Sequence, residues 1–227
     1  MNHKRLEERA RLQALSDYEQ QAFQEGFQYI AGLDEVGRGP IAGPVMAAAV
    51  ILPADFFLEG VDDSKKLTAR KRLELSARIK AVSLGWAIGA VFPPHLDEIN
   101  ILNATREAMR LAVENLYPQP NFLLIDALSL PDIRIRQRAI IKGDSLSVSI
   151  ACASIIAKVE RDAAMESFDR LYPGYGFIRH KGYATREHLE SLLAKGPSPI
   201  HRRSFEPVKS ILAGGPYGEQ PGLFDQD

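Results

Sequence analysis

The chain has 227 residues, 45% hydrophobic and 25% charged, with 28 Lys and Arg against 29 Asp and Glu. Such a makeup belongs to a soluble globular chain with its own core and excludes a fibrous or disordered one. No apolar run approaches the roughly 20 residues of a membrane span, the charged start MNHKRLEERARLQAL is no secretory signal, and the single cysteine, Cys152, excludes an internal disulfide and fits the cytoplasm.

In chain order, residues 3–25 place Leu6, Leu12, Leu15, Tyr18 and Phe23 at helical spacing and predict a leading helix. Tyr29 to Leu33 reads as a short buried strand ending at Asp34-Glu35, followed by GRGPIAGP, too rich in Gly and Pro for regular structure. The apolar stretches Val45 to Leu52 and Val82 to Phe92 predict strands buried on both faces, with a helix from Thr68 to Lys80 between them, Thr68 as its N-cap. An amphipathic helix follows over Ile101 to Tyr117, ending before Pro118; then come a strand NFLLI with Asp126 at its end and another over Arg138 to Ile141. A long helix over about Ser145 to Leu171 leads into the loop YPGYGFIRHKGY, and Thr185 to Ala194 and Glu206 to Leu212 predict helices. Strands with helices between and after them give an α/β sheet with a helical C-terminal part.

Two acidic sites stand where apolar strands end, Asp34-Glu35 and Asp126, and ligands of α/β sheets gather outside the carboxyl ends of strands. Clustered carboxylates repel unless a cation neutralises them, and oxygen donors without a Cys/His set suit Mg²⁺ or Mn²⁺ rather than zinc. A pair of such ions activates water and stabilises the leaving oxygen of a phosphodiester. Neighbours in a strand face opposite ways, so Asp34 and Glu35 share a site only if the chain bends there; the alternative is that they merely open a loop. Asp144 opens the long helix, where it caps the helix or both caps it and faces the metals. Asp162, 18 residues on, lies roughly 27 Å away along a continuous helix and is read as structural.

The basic residues cluster. Ser64 to Arg72 holds five and no acid; Arg134, Arg136, Arg138 and Lys142 follow, then Arg179, Lys181, Arg202 and Arg203. They line either a phosphate track or ordinary solvated surface. Ser64-Lys65-Lys66 before a helix offers a hydroxyl, two ammonium groups and a helix N-terminus to a phosphate. Gly37-Arg38-Gly39 lets a ligand approach the backbone, whose groups then hydrogen-bond a ribose 2′-hydroxyl, unless it is a plain tight turn. Tyr183 sets its ring against a sugar or base, or packs half-buried. His180 and His201 read as surface or loop histidines, or as general acids and phosphate contacts, and Cys152 as a small core residue.

Six segments, AGLDEVGRGPIAGPV, DDSKKL, LLIDAL, IIKGDSLSVSIACASIIAKVERD, YGFIRHKGY and HRRSF, together resemble the bacterial ribonuclease HII family, in its order, over about residues 29–208. The resemblance implies a ribonuclease-H-like mixed sheet flanked by helices. It also implies cleavage with two divalent ions on the 5′ side of a ribonucleotide, in RNA–DNA hybrids or within DNA, leaving 3′-hydroxyl and 5′-phosphate ends. By the same implication Asp34, Glu35, Asp126 and Asp144 hold the metals, Gly37, Arg38 and Gly39 sense the ribose, and Tyr183 sits at the RNA–DNA junction. A binding module without turnover and a small-molecule phosphohydrolase are the other classes; intact carboxylates argue against the first and the spread of basic segments against the second. The segments read as an N-terminal helical extension (1–26), a catalytic domain (27–209) and a flexible tail (210–227), in a monomer. In the tail, Gln220, Leu223 and Phe224 resemble the peptides that dock on the replication sliding clamp; the alternative is that Leu223 and Phe224 fold back onto the protein's own surface.

Overall fold

The computed structural model describes residues 3–214. Along the chain run α1 (His3–Leu15), α2 (Asp17–Gln24), β1 (Ile30–Val36), β2 (Val45–Ile51), α3 (Ala69–Val82), β3 (Gly85–Val91), α4 (His95–Glu114), β4 (Phe122–Asp126), β5 (Arg136–Ile140), α5 (Val148–Leu171), α6 (Phe177–His180), α7 (Arg186–Lys195) and α8 (Val208–Leu212). The five strands form one sheet in the order β3-β2-β1-β4-β5. β1 is antiparallel to β2 and parallel to β4, which is parallel to β5, so the sheet is mixed, as predicted.

Local chemistry explains where these elements start and stop. β2 is buried along its whole length, as its unbroken apolar run demands. β3 instead alternates, because it is an edge strand; Trp86 is partly exposed there, with the Lys80 ammonium 4.2 Å over its ring. The predicted leading helix is two helices parted at Ser16, whose hydroxyl bonds back to the Leu12 carbonyl. α4 starts earlier than predicted but breaks at Asn100 (φ 66°, ψ 164°). There the Asn100 side-chain oxygen accepts from the N–H groups of Leu102 and Asn103, an N-cap that makes Ile101 the true start of the amphipathic part. Thr68 caps α3 as expected, accepting from the Lys71 N–H at 3.2 Å.

The chain groups into two compact units. The first draws on residues 1–36, 46–90 and 105–160, the second on 37–45, 91–104 and 161–227. In the first, Val50, Leu75, Ile79, Ile155 and Ile156 centre one apolar cluster, and Ile30, Phe122, Leu124 and Ile150 belong to another. Burial at this density supplies the main driving force for folding. The second has its own clusters around Met165 and Phe177 and around Leu189 and Val208. Among the described residues no helix is long and apolar enough to cross a membrane.

Candidate active site

The first unit collects carboxylates at one end of its sheet. β1 and β4 are parallel neighbours, with Leu33 paired to Ile125, so Asp34 and Asp126 follow at the same level on adjacent strands. Gly143 N–H donates to Asp126 Oδ1 at 2.7 Å, tying the 3₁₀ turn Gly143–Ser145, and with it Asp144, to the end of β4. Asp34 and Asp144 are each only 7% exposed. Burial first, and then the charges of Glu35 and Asp126, push the Asp34 carboxyl up to about 8, against the pull of a hydrogen bond from Ser154. Asp126 is raised by burial and by Asp144, opposed by the Gly143 N–H. Lys65 Nζ lies 3.6 Å from Asp144 Oδ2. Burial works against its charge, but Asp144, Asp63 and Asp34 carry its ammonium above the ordinary value.

Two expectations about these residues change. Glu35 stays in the ladder opposite Ala47 and β1 runs on to Val36, so the chain turns only at Gly37; Glu35 is nevertheless near enough for its charge to raise Asp34. Asp144 does not cap the long helix, because α5 begins only at Val148. The capping oxygens there are Ser147 Oγ, which accepts from the Ile150 N–H, and Glu19 Oε1 from α2, which accepts from the Ser149 N–H at 3.0 Å. Asp144 is thereby left to face Lys65. Oxygen donors that repel one another are a set that a hard divalent ion such as Mg²⁺ or Mn²⁺ fits. Among the described residues no three Asp, Glu, His or Cys side chains form a ready-made cage for one.

The second unit holds the glycine loop and the tyrosine. Gly37 is buried at φ +89°, and a Cβ on it would lie 2.2 Å from Arg161 Nε. Its lack of a side chain is required by packing. Gly39 is exposed, and a Cβ there would meet only Tyr183 Cε1, at 3.6 Å. Open approach to the backbone therefore belongs to Gly39. Tyr183 is 49% exposed beside it, anchored through its main chain: its N–H donates to the His180 carbonyl and its own carbonyl faces His188 Nδ1 at 2.7 Å. Arg38 is exposed too.

The lysine turn differs from expectation. Ser64 is buried, with its hydroxyl 2.9 Å from Ser154 Oγ rather than turned outward. α3 starts at Ala69, so no helix N-terminus adjoins Ser64-Lys65-Lys66; Lys66 Nζ instead pairs with Asp62 at 3.2 Å, while Lys65 stays largely exposed. His180 and His201 are buried, not surface groups. They surround His188, whose ring stacks on His180 at 4.2 Å and whose Nε2 lies 3.0 Å from His201 Nε2. Cys152 is fully buried, as predicted. The sequence reading missed Ser154 beside Asp34 and Arg161 in the second unit, and it took Arg202, which is fully buried, for a phosphate contact or solvated surface. Ser154 was signalled as a hydroxyl within the apolar run of α5; the arginines stand in charged runs that look like solvated surface.

The ribonuclease HII family model matches residues 31–208, which include the four carboxylates, the lysine turn, the glycine loop and Tyr183. The chain belongs to the ribonuclease HII family. Ribonuclease HII of Syntrophomonas wolfei is 67% identical over 220 residues, 97% of this chain and 86% of that one. Among solved structures, ribonuclease H2 of Pyrococcus horikoshii superposes with a TM-score of 0.69 at 25% identity, over 82% of this chain and 97% of that one. The ribonuclease HII in the complex titled as PCNA:RNase HII from Archaeoglobus fulgidus gives 0.62 at 30% identity, over 77% and 94%. As a ribonuclease HII, the chain is an endoribonuclease acting on the RNA of RNA–DNA hybrids, and its sheet is that of the ribonuclease-H-like fold.

Proposed function

We propose that this endoribonuclease incises on the 5′ side of ribonucleotides, in hybrids and singly embedded in DNA, leaving 3′-hydroxyl and 5′-phosphate ends. The observation that carries this reading is the mutual repulsion of Asp34, Asp126 and Asp144 at the end of the sheet, which a divalent cation relieves. Asp34, Glu35, Asp126 and Asp144 would hold two ions, Mg²⁺ or Mn²⁺, which when bound activate water and neutralise charge on a cleaved phosphodiester. The chain's own groups do the rest. Gly143 N–H and Ser154 hold the Asp126 and Asp34 carboxylates in place. Lys65 and Lys66 offer ammonium charge to the backbone phosphates, while Arg38 and Gly39, held by the buried turn at Gly37, meet the 2′-hydroxyl and Tyr183 the neighbouring sugar at the RNA–DNA junction. Ser64, turned inward, supports that turn rather than the phosphate.

The deciding experiment is cleavage of a DNA duplex carrying one ribonucleotide, beside all-DNA and all-RNA duplexes of the same sequence, with and without Mg²⁺. Incision 5′ of the ribonucleotide alone, dependent on the ion, is the expected result. Cleavage of all-RNA duplex at an equal rate, or without any divalent ion, would sink the reading.

The enzyme acts as a cytoplasmic monomer, and its tail adds a partner. Gln220, Leu223 and Phe224 lie outside the described residues, so support comes from their sequence and from the Archaeoglobus fulgidus relative, whose structure is titled a complex with PCNA. Two adjacent apolar anchors and a glutamine amide suit a pocket on the sliding clamp at micromolar affinity. A chain ending at Gly215 should keep full activity on short duplexes and lose clamp binding in calorimetry. Absence of binding by the intact chain at high micromolar concentration removes the partner.

A further inference from the structure

Two guanidinium groups in the second unit are fully buried, Arg161 and Arg202, both at 0% exposure. Every hydrogen bond they donate ends on a main-chain carbonyl. Arg161 reaches Pro44 O at 3.1 Å, Lys181 O at 3.0 Å and Ala42 O at 3.3 Å. Arg202 reaches Gly43 O at 3.0 Å, Arg38 O at 2.9 Å and Gly37 O at 2.5 Å. None of these bonds ends on a carboxylate, although the charges of Asp97 and Asp162 favour the Arg202 and Arg161 cations from further off. Buried cations without an ion partner are costly, so a fold that needed only to tie down a turn would use neutral groups. Burial, and then the charge of Arg161, pull the Arg202 guanidinium down to about 9, opposed by Asp97.

The carbonyls that Arg202 takes are those of the glycine loop. In a trans peptide the N–H points opposite to the C=O, and cis bonds among the described residues lie only at Pro94, Pro118 and Pro207. With the Gly37 and Arg38 carbonyls turned in to Arg202, the N–H groups of Arg38 and Gly39 therefore turn the other way, on residues that are exposed. A carbonyl bonded to a cation polarises its own peptide, so the N–H on the far side becomes a stronger donor. We propose that Arg202 is a positioning and specificity-determining residue: it fixes and polarises the Arg38 and Gly39 N–H groups that meet a ribose 2′-oxygen, with Arg161 bracing the loop behind them. This rests on the reading of the loop as the ribose sensor. Lysine cannot replace Arg202, since one ammonium does not span three carbonyls.

The test uses the full chain with Asp126→Asn to stop turnover, and reads the ratio of affinities for a single-ribonucleotide duplex over the all-DNA duplex of the same sequence. Arg202→Lys should lower that ratio at least fivefold while all-DNA affinity stays within about twofold, and in the active background should lower kcat at least tenfold with little change in KM. A purely structural role would lower the folded fraction and scale all substrates alike. An unchanged ratio in folded Arg202→Lys overturns the proposal. If Arg202→Lys does not fold by circular dichroism, Arg202→Gln, which can hold part of the loop without the charge, is read in the same way. Gly39→Ala, sterically tolerated by its neighbours, separates the premises. If Gly39→Ala leaves discrimination intact, the loop reading itself fails; if it abolishes discrimination while Arg202→Lys does not, only the role of Arg202 fails.

Discussion

At the scale of single residues the carboxylate end of the sheet works against its own stability. Asp126→Asn keeps the oxygen that accepts from Gly143 N–H at 2.7 Å and removes one of the charges crowding Asp34. We expect no detectable cleavage of a single-ribonucleotide duplex in millimolar Mg²⁺, with an ion-free melting temperature equal to or above that of the parent. A clear drop in that temperature would mean that the carboxylates do not strain the fold. Gly37→Ala should act in the opposite sense. A Cβ at 2.2 Å from Arg161 Nε on a backbone at φ +89° costs roughly 2 kcal/mol or more, so urea midpoints should fall sharply. The sequence foretold the GRG run but not that its two glycines have different tasks. That division depends on Arg161, more than 100 residues along the chain, and no local pattern reports a partner so remote.

Elements were most legible where hydrophobic periodicity was long or unbroken. β2, β4 and α3 begin and end within a few residues of their predicted bounds because apolar runs and a threonine cap mark them locally. The start of α5 was misplaced for the opposite reason. Its cap comes partly from α2, where Glu19 Oε1 accepts from Ser147 Oγ, Ser149 N and Ser149 Oγ across more than 120 residues of chain. Read locally, Asp144 was the natural candidate, and only the tertiary contact frees it for the carboxylate cluster. Removing the carboxyl in Glu19→Ala takes the acceptor from three buried donors, of which one hydroxyl of the Ser147–Ser149 pair, 3.2 Å apart, can still donate to the other, and should cost about 1–3 kcal/mol in chemical denaturation. Glu19→Gln, which keeps an acceptor, should cost less; equal losses from both would assign the effect to packing.

For the molecule as a whole, acid should be the weak side. His188 and His201 are held neutral by burial, with values pulled down to about 3 and about 4 from 6.5. Their geometry allows one proton arrangement. His188 Nδ1–H donates to the Tyr183 carbonyl, so its Nε2 accepts from His201 Nε2–H, whose Nδ1 accepts from the Ser198 N–H. Because the folded values lie below the unfolded one, the unfolded chain takes up protons first as pH falls below 6.5. Stability is then level above that pH and lost on the way down to about 4, by up to about 1.4 kcal/mol per pH unit for each ring. Asp34, raised in the fold, carries the opposite sign, losing stability as pH rises from 3.8 towards 8. In melting curves, Asp34→Asn removes one opposing carboxylate, leaving Asp126 and Glu19, which are raised in the same direction, against the histidines: we expect a plateau above pH 7 and a fall of at least about 5 °C between pH 6.5 and 5. A flat profile there would mean that the rings titrate normally.

The buried position of Cys152 has a practical consequence for watching this enzyme at work. It is the chain's single thiol, sealed in the core, and burial, then the charge of Glu19, raise it well above its ordinary value. Only the thiolate reacts quickly with electrophiles, so a thiol-colour reagent should register almost nothing on the native protein and one equivalent after denaturation. The outer surface is therefore chemically silent to maleimides without any prior editing. A single change such as Leu73→Cys, at a side chain 63% exposed, then gives one dye at one known place, and passage along a surface-tethered duplex can be followed one molecule at a time.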